Sequence, residues 1–410
     1  MPVNADKGAS MVVNKIGFIP NITTYQNIKR KYDNKSQNFP QQQLAKSINP
    51  QLNLVYFTGR GTKLPFIEQL PKEIQQSRKE LIEDAIKFIR SSDFYEDKIA
   101  GKNWKNSYFV EEMEALINNP QALRWRADML TLKTRSALQG NFAGKNTIAI
   151  PWSGGRDSSS ILANSFAFFP DKKFKLLTVI NGMSENILNP AVQYKRLLAK
   201  FNNPKNPINV EHYYVDCVDD MRDLVVRTAR EDKSILGCPA LCSSCKMVME
   251  KSLGNVAKSY GSQDLVLGYS KYQGMQDWIE QTPEQIAFVT EELGKYGIRT
   301  SSPLYNVLEY PFDPILSLSS VGVPIKEQKI EMKCKAGGLN PKDLDLEKLL
   351  EFLIHKNKQT NHIFTKNVDV VTMKEIDNPK YISLLDEVKS LRQDADYRLG
   401  VFEEKKYNGQ

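Results

Sequence analysis

The loop at residues 153–159 (Ser-Gly-Gly-Arg-Asp-Ser-Ser) carries residue types that are suited to binding a phosphate. It follows an apolar run that ends at Ile150 and precedes an apolar segment from Ile161 to Phe169. This order predicts a strand, a tight glycine turn and the first turn of a helix. Glycines let a ligand approach the backbone closely, and a helix directs free N–H groups and its positive dipole end at its N-terminus. We therefore predict a phosphate-binding loop.

This loop differs from a Walker A loop, because no Gly-Lys-Ser or Gly-Lys-Thr closes it. Its serine hydroxyls, on Ser153, Ser158 and Ser159, add hydrogen-bond donors beside the glycines. The ordinary alternative is a Ser/Gly turn that only caps a helix. The surrounding strand–turn–helix pattern favours phosphate binding over that alternative.

Five cysteines form the second set of candidate residues, and three of them fall within eight residues. They are Cys217, Cys238, Cys242, Cys245 and Cys334. In a protein of the reducing cytosol, this clustering favours metal or redox chemistry over a disulfide framework. Cys242 and Cys245 form a Cys-x-x-Cys at the start of a predicted helix. Both sulfurs can reach one metal there, and the helix N-terminus would lower both thiol pKa values.

Spacing alone leaves open which metal these cysteines would hold. Structural zinc bound by Cys238, Cys242, Cys245 and Cys334 is one alternative to an iron–sulfur cluster, and unligated thiols are another. Cys217 follows a predicted strand directly, so we expect it to be a packed core thiol.

Alternating strands and helices from residue 146 onward predict an α/β fold with a doubly wound parallel sheet. The predicted strands are 146–152, 174–181, 209–215 and 264–269, and the predicted helices are 158–168, 189–201, 218–231, 245–260 and 283–296. Ligands of such sheets bind beyond the carboxyl ends of the strands. Three segments should therefore meet at one site, namely the loop 153–159, the strand end 178–181 and residues 267–271.

Further predicted elements flank this sheet on both sides. They are helices at 73–89, 108–117, 122–138, 344–356 and 379–399, short strands at 12–18 and 52–57, and a basic glycine turn at 58–62. We divide the chain accordingly into an N-terminal basic α+β extension (1–120), a nucleotide-binding domain (121–330) and a C-terminal helical cap (331–410).

The composition is that of an ordinary globular protein, with 41% apolar and 25% charged residues. No apolar run has the length of a membrane span, and the N-terminus lacks the apolar region of a signal peptide. We therefore expect a cytoplasmic enzyme without a membrane partner.

The excess of positive charge lies in the first 145 residues, which hold 22 Lys and Arg against 14 Asp and Glu. The rest of the chain is balanced, so this third carries the whole formal net charge of +8. Such a surface would suit a polyanion such as tRNA. A solvated basic surface without a partner is the alternative.

The loop 153–159 resembles the Ser-Gly-Gly-x-Asp-Ser motif of the PP-loop ATP pyrophosphatase (adenine nucleotide alpha-hydrolase-like) superfamily. The resemblance implies a HUP-like fold and an enzyme that cleaves ATP between its α and β phosphates, adenylates a substrate oxygen and displaces AMP with sulfur or nitrogen. It implies an ATP site formed by Ser153, Gly154, Gly155, Asp157, Ser158, Ser159, Ile180 and Gly268.

Roles in catalysis follow for three side chains under this resemblance. Mg²⁺ would bridge the phosphates and offset charge on the leaving group. Asp157 would place the metal or the reacting phosphate, and Arg156 or Lys271 would stabilise the pyrophosphate.

The Cys-x-x-Cys before the fourth strand, together with one cysteine after the segment 322–324 (Gly-Val-Pro), resembles the TtcA/TtuA-type tRNA thiolases. This resemblance implies that Cys242, Cys245 and Cys334 hold a [4Fe–4S] cluster whose fourth iron carries the sulfur to be transferred. A second resemblance, to the N-acetyl-sugar amidotransferases, implies ammonia as the donor.

The sequence therefore predicts AMP- and pyrophosphate-forming adenylation of an acceptor carbonyl, on a tRNA or a small molecule, followed by sulfur transfer. Without a cluster, a cysteine persulfide could deliver the sulfur. The alternative enzyme is an ATP-dependent amidotransferase or ligase that acts on a sugar or modified base with zinc or no metal. A non-catalytic nucleotide-binding module is the rival from another class. The sequence is also compatible with a homodimer.

Overall fold

The computed structural model describes residues 68, 70, 72–100, 102, 104, 106–276, 278–335, 344–371 and 383–394. The predicted strands at 12–18 and 52–57 and the glycine turn at 58–62 lie outside these ranges.

The α-helices of the described residues are α1 (Lys72–Ile89), α2 (Ser92–Lys98), α3 (Ser107–Ile117), α4 (Pro120–Phe142), α5 (Arg156–Phe168), α6 (Asn189–Phe201), α7 (Val218–Met221), α8 (Ala229–Leu236), α9 (Leu241–Ser259), α10 (Lys271–Gly274), α11 (Pro283–Gly294), α12 (Asp313–Ser320), α13 (Leu346–Thr360) and α14 (Ser383–Gln393). The strands are β1 (Thr147–Pro151), β2 (Lys173–Ile180), β3 (Ser184–Glu185), β4 (Asn209–Asp216), β5 (Asp264–Val266), β6 (Arg299–Ser301), β7 (Lys333–Cys334) and β8 (Val370–Val371). Short π or 3₁₀ turns cover Arg222–Val226, Ile279–Gln281, Ile325–Glu327 and Asn361–Phe364.

Six strands form the main sheet, in the order β6-β5-β1-β2-β4-β8. All neighbours are parallel except β8, which lies at one edge of the sheet and runs antiparallel to β4. The longest pairing joins β2 to β4, from Lys173 opposite Asn209 to Ile180 opposite Asp216. Strands β3 and β7 form a separate antiparallel pair. The predicted parallel sheet is confirmed.

All four predicted strands of this sheet are present, and the helices at 73–89, 108–117, 122–138 and 189–201 are confirmed within a few residues. The prediction of one continuous helix at 218–231 is wrong. That segment is α7 followed by a π turn, and α8 begins only at Ala229. The strands β6 and β8 were not predicted, because three- and two-residue strands leave too short an alternation in the sequence to detect.

Alternating side chains of the central strand point into two separate apolar layers. Ile148 and Ile150 belong to one hydrophobic cluster, and Ala149 between them belongs to the other. The first cluster joins the sheet to α1–α5 and α12, and the second joins it to α9, α11, α13 and α14. This is the period of two expected of a strand that is buried on both faces.

Helices α1–α4 therefore share one core with the sheet across the proposed boundary at residue 120. Ile74, Ile86 and Leu130 of these helices lie in the same cluster as Ile148 and Leu316. The three-domain division stays a prediction.

No helix in the described ranges combines the length and apolarity that a bilayer crossing requires.

Candidate functional site

The predicted phosphate loop connects the end of β1, at Pro151, to the start of α5, at Arg156. Gly154 has a φ of +77°, and a Cβ at this position would overlap the carbonyl oxygen of Ile330. Glycine is thus required both by the backbone angle and by space. Gly155 is the N-cap of α5 in extended conformation and has no side chain that could satisfy the first N–H groups of the helix. The strand–turn–helix prediction is confirmed.

A distant segment of backbone holds this loop in place. The Ile330 N–H donates to the Gly154 carbonyl (3.2 Å), and the Met332 N–H donates to the Ser153 carbonyl (3.4 Å). These bonds use the carbonyl groups of the loop. The distant segment therefore takes none of the first N–H groups of α5, which can face a ligand.

Serine hydroxyls order the interior of the turn. Ser153 Oγ accepts from the Gly155 N–H (3.3 Å), and Ser158 Oγ donates to the Gly155 carbonyl (3.1 Å). A Cβ at Gly268 would lie 3.3 Å from the Ser158 Cα, so the segment after β5 passes close to α5. Ser159 is fully buried, and its Oγ has no hydrogen-bond partner within the described ranges.

A cavity of about 420 Å³ opens beside the loop, at the carboxyl ends of β1, β2 and β5. Of the predicted site residues, it is lined by Ser153, Gly155, Arg156, Asp157, Ser158 and Gly268. Gly154, Ser159, Ile180 and Lys271 are not among its described lining residues. The cavity therefore adjoins the first turn of α5, which is where a phosphate would gain from the helix N-terminus. The assignment of individual residues to ATP stays a prediction.

The cavity is also lined by polar side chains that no sequence motif marks. The charged ones are Lys98, Lys246, Glu280, Lys329 and Glu331. They come from four different segments of the chain, so no local motif marks them.

Asp157 accepts hydrogen bonds from three side chains of the segment that follows β5. Ser270 Oγ lies at 3.2 Å, Tyr272 Oη at 3.1 Å, and Gln273 Nε2 also donates. Burial raises the pKa of the Asp157 carboxyl to about 6, while the bonds from Tyr272 and Ser270 act in the opposite direction. The carboxylate thus ties α10 to the phosphate loop. Its predicted role in placing a metal or phosphate stays a prediction.

The two predicted cations lie in different surroundings. Arg156 lines the cavity, its guanidinium carbon is 5.9 Å from the ring centroid of Phe88, and its buried Nε has no described hydrogen-bond partner. Burial lowers the pKa of Arg156. Lys271 is exposed, and its backbone N–H donates to the Tyr305 carbonyl. Arg156 is therefore the better placed of the two to meet a phosphate.

A carboxylate lies against the loop itself. Glu331 Oε2 would be 2.7 Å from a Cβ on Gly155, and this carboxylate is ion-paired with Lys329. Asn189 Nδ2 holds the Glu331 carbonyl at 3.1 Å. The negative charge of Glu331 also raises the pKa of Asp157. Any phosphate on this loop would meet Glu331 as a neighbour.

Cys242 and Cys245 lie at the start of a helix, as the sequence predicts. Helix α9 begins at Leu241, so Cys242 and Cys245 lie in its first turns, and Cys334 pairs with Ser184 in the β3–β7 ribbon. Burial, together with the charges of Cys334 and Cys242, raises the pKa of Cys245 well above its ordinary value. The predicted lowering is thus wrong for Cys245, because burial outweighs the helix N-terminus.

In the described part of the chain, no three His, Cys, Asp or Glu side chains form a group that could hold a metal ion. Cys245 Sγ instead contacts Met249 Sδ at 3.5 Å. Burial raises the pKa of Cys238 to about 11 and of Cys217 to about 12, and both side chains lie in the core. The metal-ligand role of Cys242, Cys245 and Cys334 stays a prediction, whereas Cys217 is the core thiol that we predicted.

No protein-family model and no curated protein matches the sequence. Among solved structures, the chain is similar to the U34-tRNA thiolase NcsA from Methanococcus maripaludis with its [4Fe–4S] cluster, at a TM-score of 0.36 and 15% identity over 65% of this chain and 79% of that one. It is also similar to a 4-thiouridine synthetase in complex with RNA and ATP, at a TM-score of 0.34 and 17% identity over 55% of each chain. The chain thus spans about half the length of the second protein. At these TM-scores only part of each fold is shared, so the function below rests on the loop, the cavity and the side chains of this chain.

Proposed function

We propose that this chain is an ATP-dependent enzyme that releases pyrophosphate and adenylates the carbonyl oxygen of an acceptor. The proposal rests on the position of the glycine loop, whose residues line one side of the cavity. The first N–H groups of α5 adjoin a cavity of about 420 Å³ that also contains basic and acidic side chains from other segments. Phosphate binding needs only the loop, whereas transfer to an acceptor needs room beside it.

The side chains around the loop have different roles in the adenylation step. The phosphates of ATP bind at the N-terminus of α5, and Mg²⁺ that arrives with ATP would offset their charge. Arg156, Lys98 and Lys329 line the cavity and stabilise the charge that develops on pyrophosphate as it leaves. Asp157 fixes the loop to α10 through its bonds to Ser270, Tyr272 and Gln273.

We further propose that sulfur displaces AMP, with tRNA as the acceptor. The cavity is lined by Lys246 and Met249 of α9, and Cys245 Sγ contacts Met249 Sδ at 3.5 Å, so the thiol of Cys245 lies next to the cavity wall. The N-terminal third supplies the basic charge that a polyanionic acceptor requires.

A persulfide on one of the clustered thiols gives a balanced route for this sulfur. Its terminal sulfur attacks the adenylated carbon, and AMP leaves with the bonding electrons of the C–O bond. A second thiol then attacks the inner sulfur, which forms a protein disulfide and releases the thiocarbonyl product. A thiol reductant and a persulfide-donating sulfur source restore the starting thiols. No step of this route runs through a metal cluster.

The first test measures pyrophosphate and AMP release with unmodified tRNA transcripts, in the presence of a sulfur donor or of ammonia. We expect release that depends on tRNA, with sulfur appearing in the RNA. Release that requires ammonia would replace sulfur transfer by amidation, and ATP binding without any release would favour a non-catalytic binding module.

Arg156→Ala and Lys271→Ala form a matched pair for the same assay. The cavity-lining Arg156 should be needed for pyrophosphate release, whereas the exposed Lys271 should be dispensable. The reverse ranking would contradict the placement of the leaving group proposed here.

Anaerobic purification followed by iron, sulfide and zinc analysis tests the cluster separately. Iron and sulfide that are lost in Cys242→Ala would return the cluster to the mechanism and remove the persulfide route. Their absence, with sulfur transfer intact, would support the persulfide route.

A further inference from the structure

Glu280 lies in the cavity wall and has an unused acceptor atom. It is part of the turn Ile279–Gln281, the residue is 9% exposed, and it lines the cavity. Its Oε2 is buried and has no hydrogen-bond partner among the described residues. Leaving a buried carboxylate oxygen without a donor is costly, so this oxygen is suited to a donor that arrives with a ligand.

The charged groups around Glu280 come from α9. Lys246 lines the same cavity, and its Nζ lies 4.7 Å from the ring centroid of Tyr269, without an ion pair among the described residues. Burial raises the pKa of Glu280, and a hydrogen bond from its own backbone N–H and the charge of Lys246 both oppose this. One turn further, Glu250 is 2% exposed and also has an unpartnered oxygen, but it is not among the described lining residues.

A chain of hydrogen bonds fixes the position of Glu280 relative to the phosphate loop. Its neighbour Gln281 accepts from the Ser270 N–H at 3.1 Å and donates to Gln273 Oε1. Gln273 in turn donates to Asp157 in the first turn of α5. Gln281 and Gln273 are therefore each hydrogen-bonded to two neighbours. These bonds fix the position of the turn that carries Glu280 relative to the loop that would bind ATP.

We propose that Glu280 binds the N–H group next to the acceptor carbonyl and takes its proton during adenylation. This rests on the proposed function and adds a catalytic residue to it. The carbonyl oxygen forms a bond to the α phosphorus, and pyrophosphate leaves with the electrons of the broken P–O bond. The N–H proton passes to Glu280, and its bonding electrons form the C=N double bond of a neutral imidate adenylate.

This role restricts the acceptor to one chemical class. The carbonyl must have an N–H beside it, as in a lactam or an amide. A carboxylate acceptor, an ester, or a ring carbonyl whose neighbouring nitrogens carry no hydrogen would leave Glu280 without its donor. The proton transfer also removes the positive charge that an adenylated amide would otherwise keep in the cavity.

The test compares three synthetic single-stranded RNA oligonucleotides that are identical except at one position. That position is uridine, N3-methyluridine, which lacks the N–H, or cytidine. ATP–pyrophosphate exchange and ATP affinity are measured for the wild-type protein, Glu280→Gln and the control Glu250→Gln. Glu250→Gln alters a buried carboxylate of the same region outside the cavity lining.

We expect exchange with the uridine RNA only, and a loss of about 100-fold or more in Glu280→Gln, which is the range of general-base contributions. ATP affinity should stay within about twofold of wild type in this variant, because Glu280 lies beyond the loop. Glu250→Gln should retain exchange, and Glu280→Asp should restore part of it.

Full exchange in Glu280→Gln, or equal exchange with N3-methyluridine, would overturn the assignment of Glu280. Wild-type protein that releases pyrophosphate with tRNA but gives no exchange with the uridine RNA would also overturn it. Wild-type protein that gives no pyrophosphate release with tRNA, with or without ATP binding, would instead refute the proposed function, so the two failures are distinguishable.

Discussion

The phosphate loop and the cysteine group were both predicted as functional sites. Among the described residues, the loop has the predicted strand–turn–helix geometry, whereas the cysteines do not form the predicted metal-binding group. The loop 153–159 is one contiguous segment whose turn, helix N-terminus and glycine angle are set by neighbouring residues. The cysteines come from α9 and β7, which are 89 residues apart, and do not form a metal-binding group in the described structure. A contiguous motif predicts its own geometry, whereas a dispersed one depends on how distant segments meet.

One segment nevertheless contacts both regions. The backbone of Ile330 and Met332 holds the phosphate loop, and Cys334 follows two residues later in β7. The loop is therefore locally encoded in shape but held by the same segment that carries a cysteine. The predictions below test how far the two regions are separable.

Removing a clustered thiol should have the largest effect and should be confined to the sulfur step. We expect two of the variants Cys242→Ala, Cys245→Ala and Cys334→Ala to abolish sulfur incorporation, because one removes the carrier thiol and the other removes the resolving thiol. ATP affinity and ATP–pyrophosphate exchange should remain. Cys238→Ala is the control, since its buried thiol lies in the core. Loss of exchange in all three variants would show that the regions act as one unit.

Gly154→Ala should impair ATP binding itself, in contrast to the cysteine variants, which should retain it. A Cβ there would overlap the Ile330 carbonyl, and the positive φ costs about 1–2 kcal/mol for a non-glycine residue. We expect ATP binding to weaken by about 100-fold or more, as measured by calorimetry. Gly140→Ala in α4 is the matched control. Nothing lies within 4 Å of the added Cβ there, and ATP binding should be unchanged. Unchanged binding in Gly154→Ala would refute the phosphate loop.

Glu331→Gln should strengthen pyrophosphate binding by about tenfold, because it removes a negative charge beside the loop. Glu327→Gln is the control. It lies in the same segment, pairs with Lys200 at 3.5 Å and is outside the described cavity lining. The affinity for pyrophosphate should be measured with and without Mg²⁺. Weaker binding that depends on Mg²⁺ would identify Glu331 as a metal ligand instead.

The smallest expected effect is a pH dependence of stability from Asp157. Its folded-state pKa of about 6 is above the ordinary value of 3.8, so the folded protein binds more protons than the unfolded chain between these values. The free energy of unfolding should therefore fall as pH rises from about 4 to about 6, by about 1–3 kcal/mol. Asp157→Asn should flatten this slope in urea titrations, whereas the exposed Asp171→Asn should leave it unchanged. An identical slope in Asp157→Asn would assign the effect to another group.

Much of the fold could be predicted because its signals are periodic and local. The apolar spacing that predicted helices at 73–89 and 189–201 is the spacing that places Ile74, Ile86 and Leu197 in the core. The break at 222–228 was missed, since a π turn keeps a helical composition and changes only the hydrogen-bond register.

The sequence by itself determined the parallel sheet, the strand–turn–helix of the phosphate loop and the start of α9 at the Cys-x-x-Cys. These features depend on residues that are close in sequence, so backbone preferences and the spacing of apolar residues predict them. Only the tertiary structure decided the rest of the cavity. It placed Glu331 over Gly155, brought Glu280 and Lys246 to the same wall, and desolvated the partly buried Cys245 so that its pKa rises. Burial and the distance between charges are properties of the packed chain, and no spacing along the sequence encodes them.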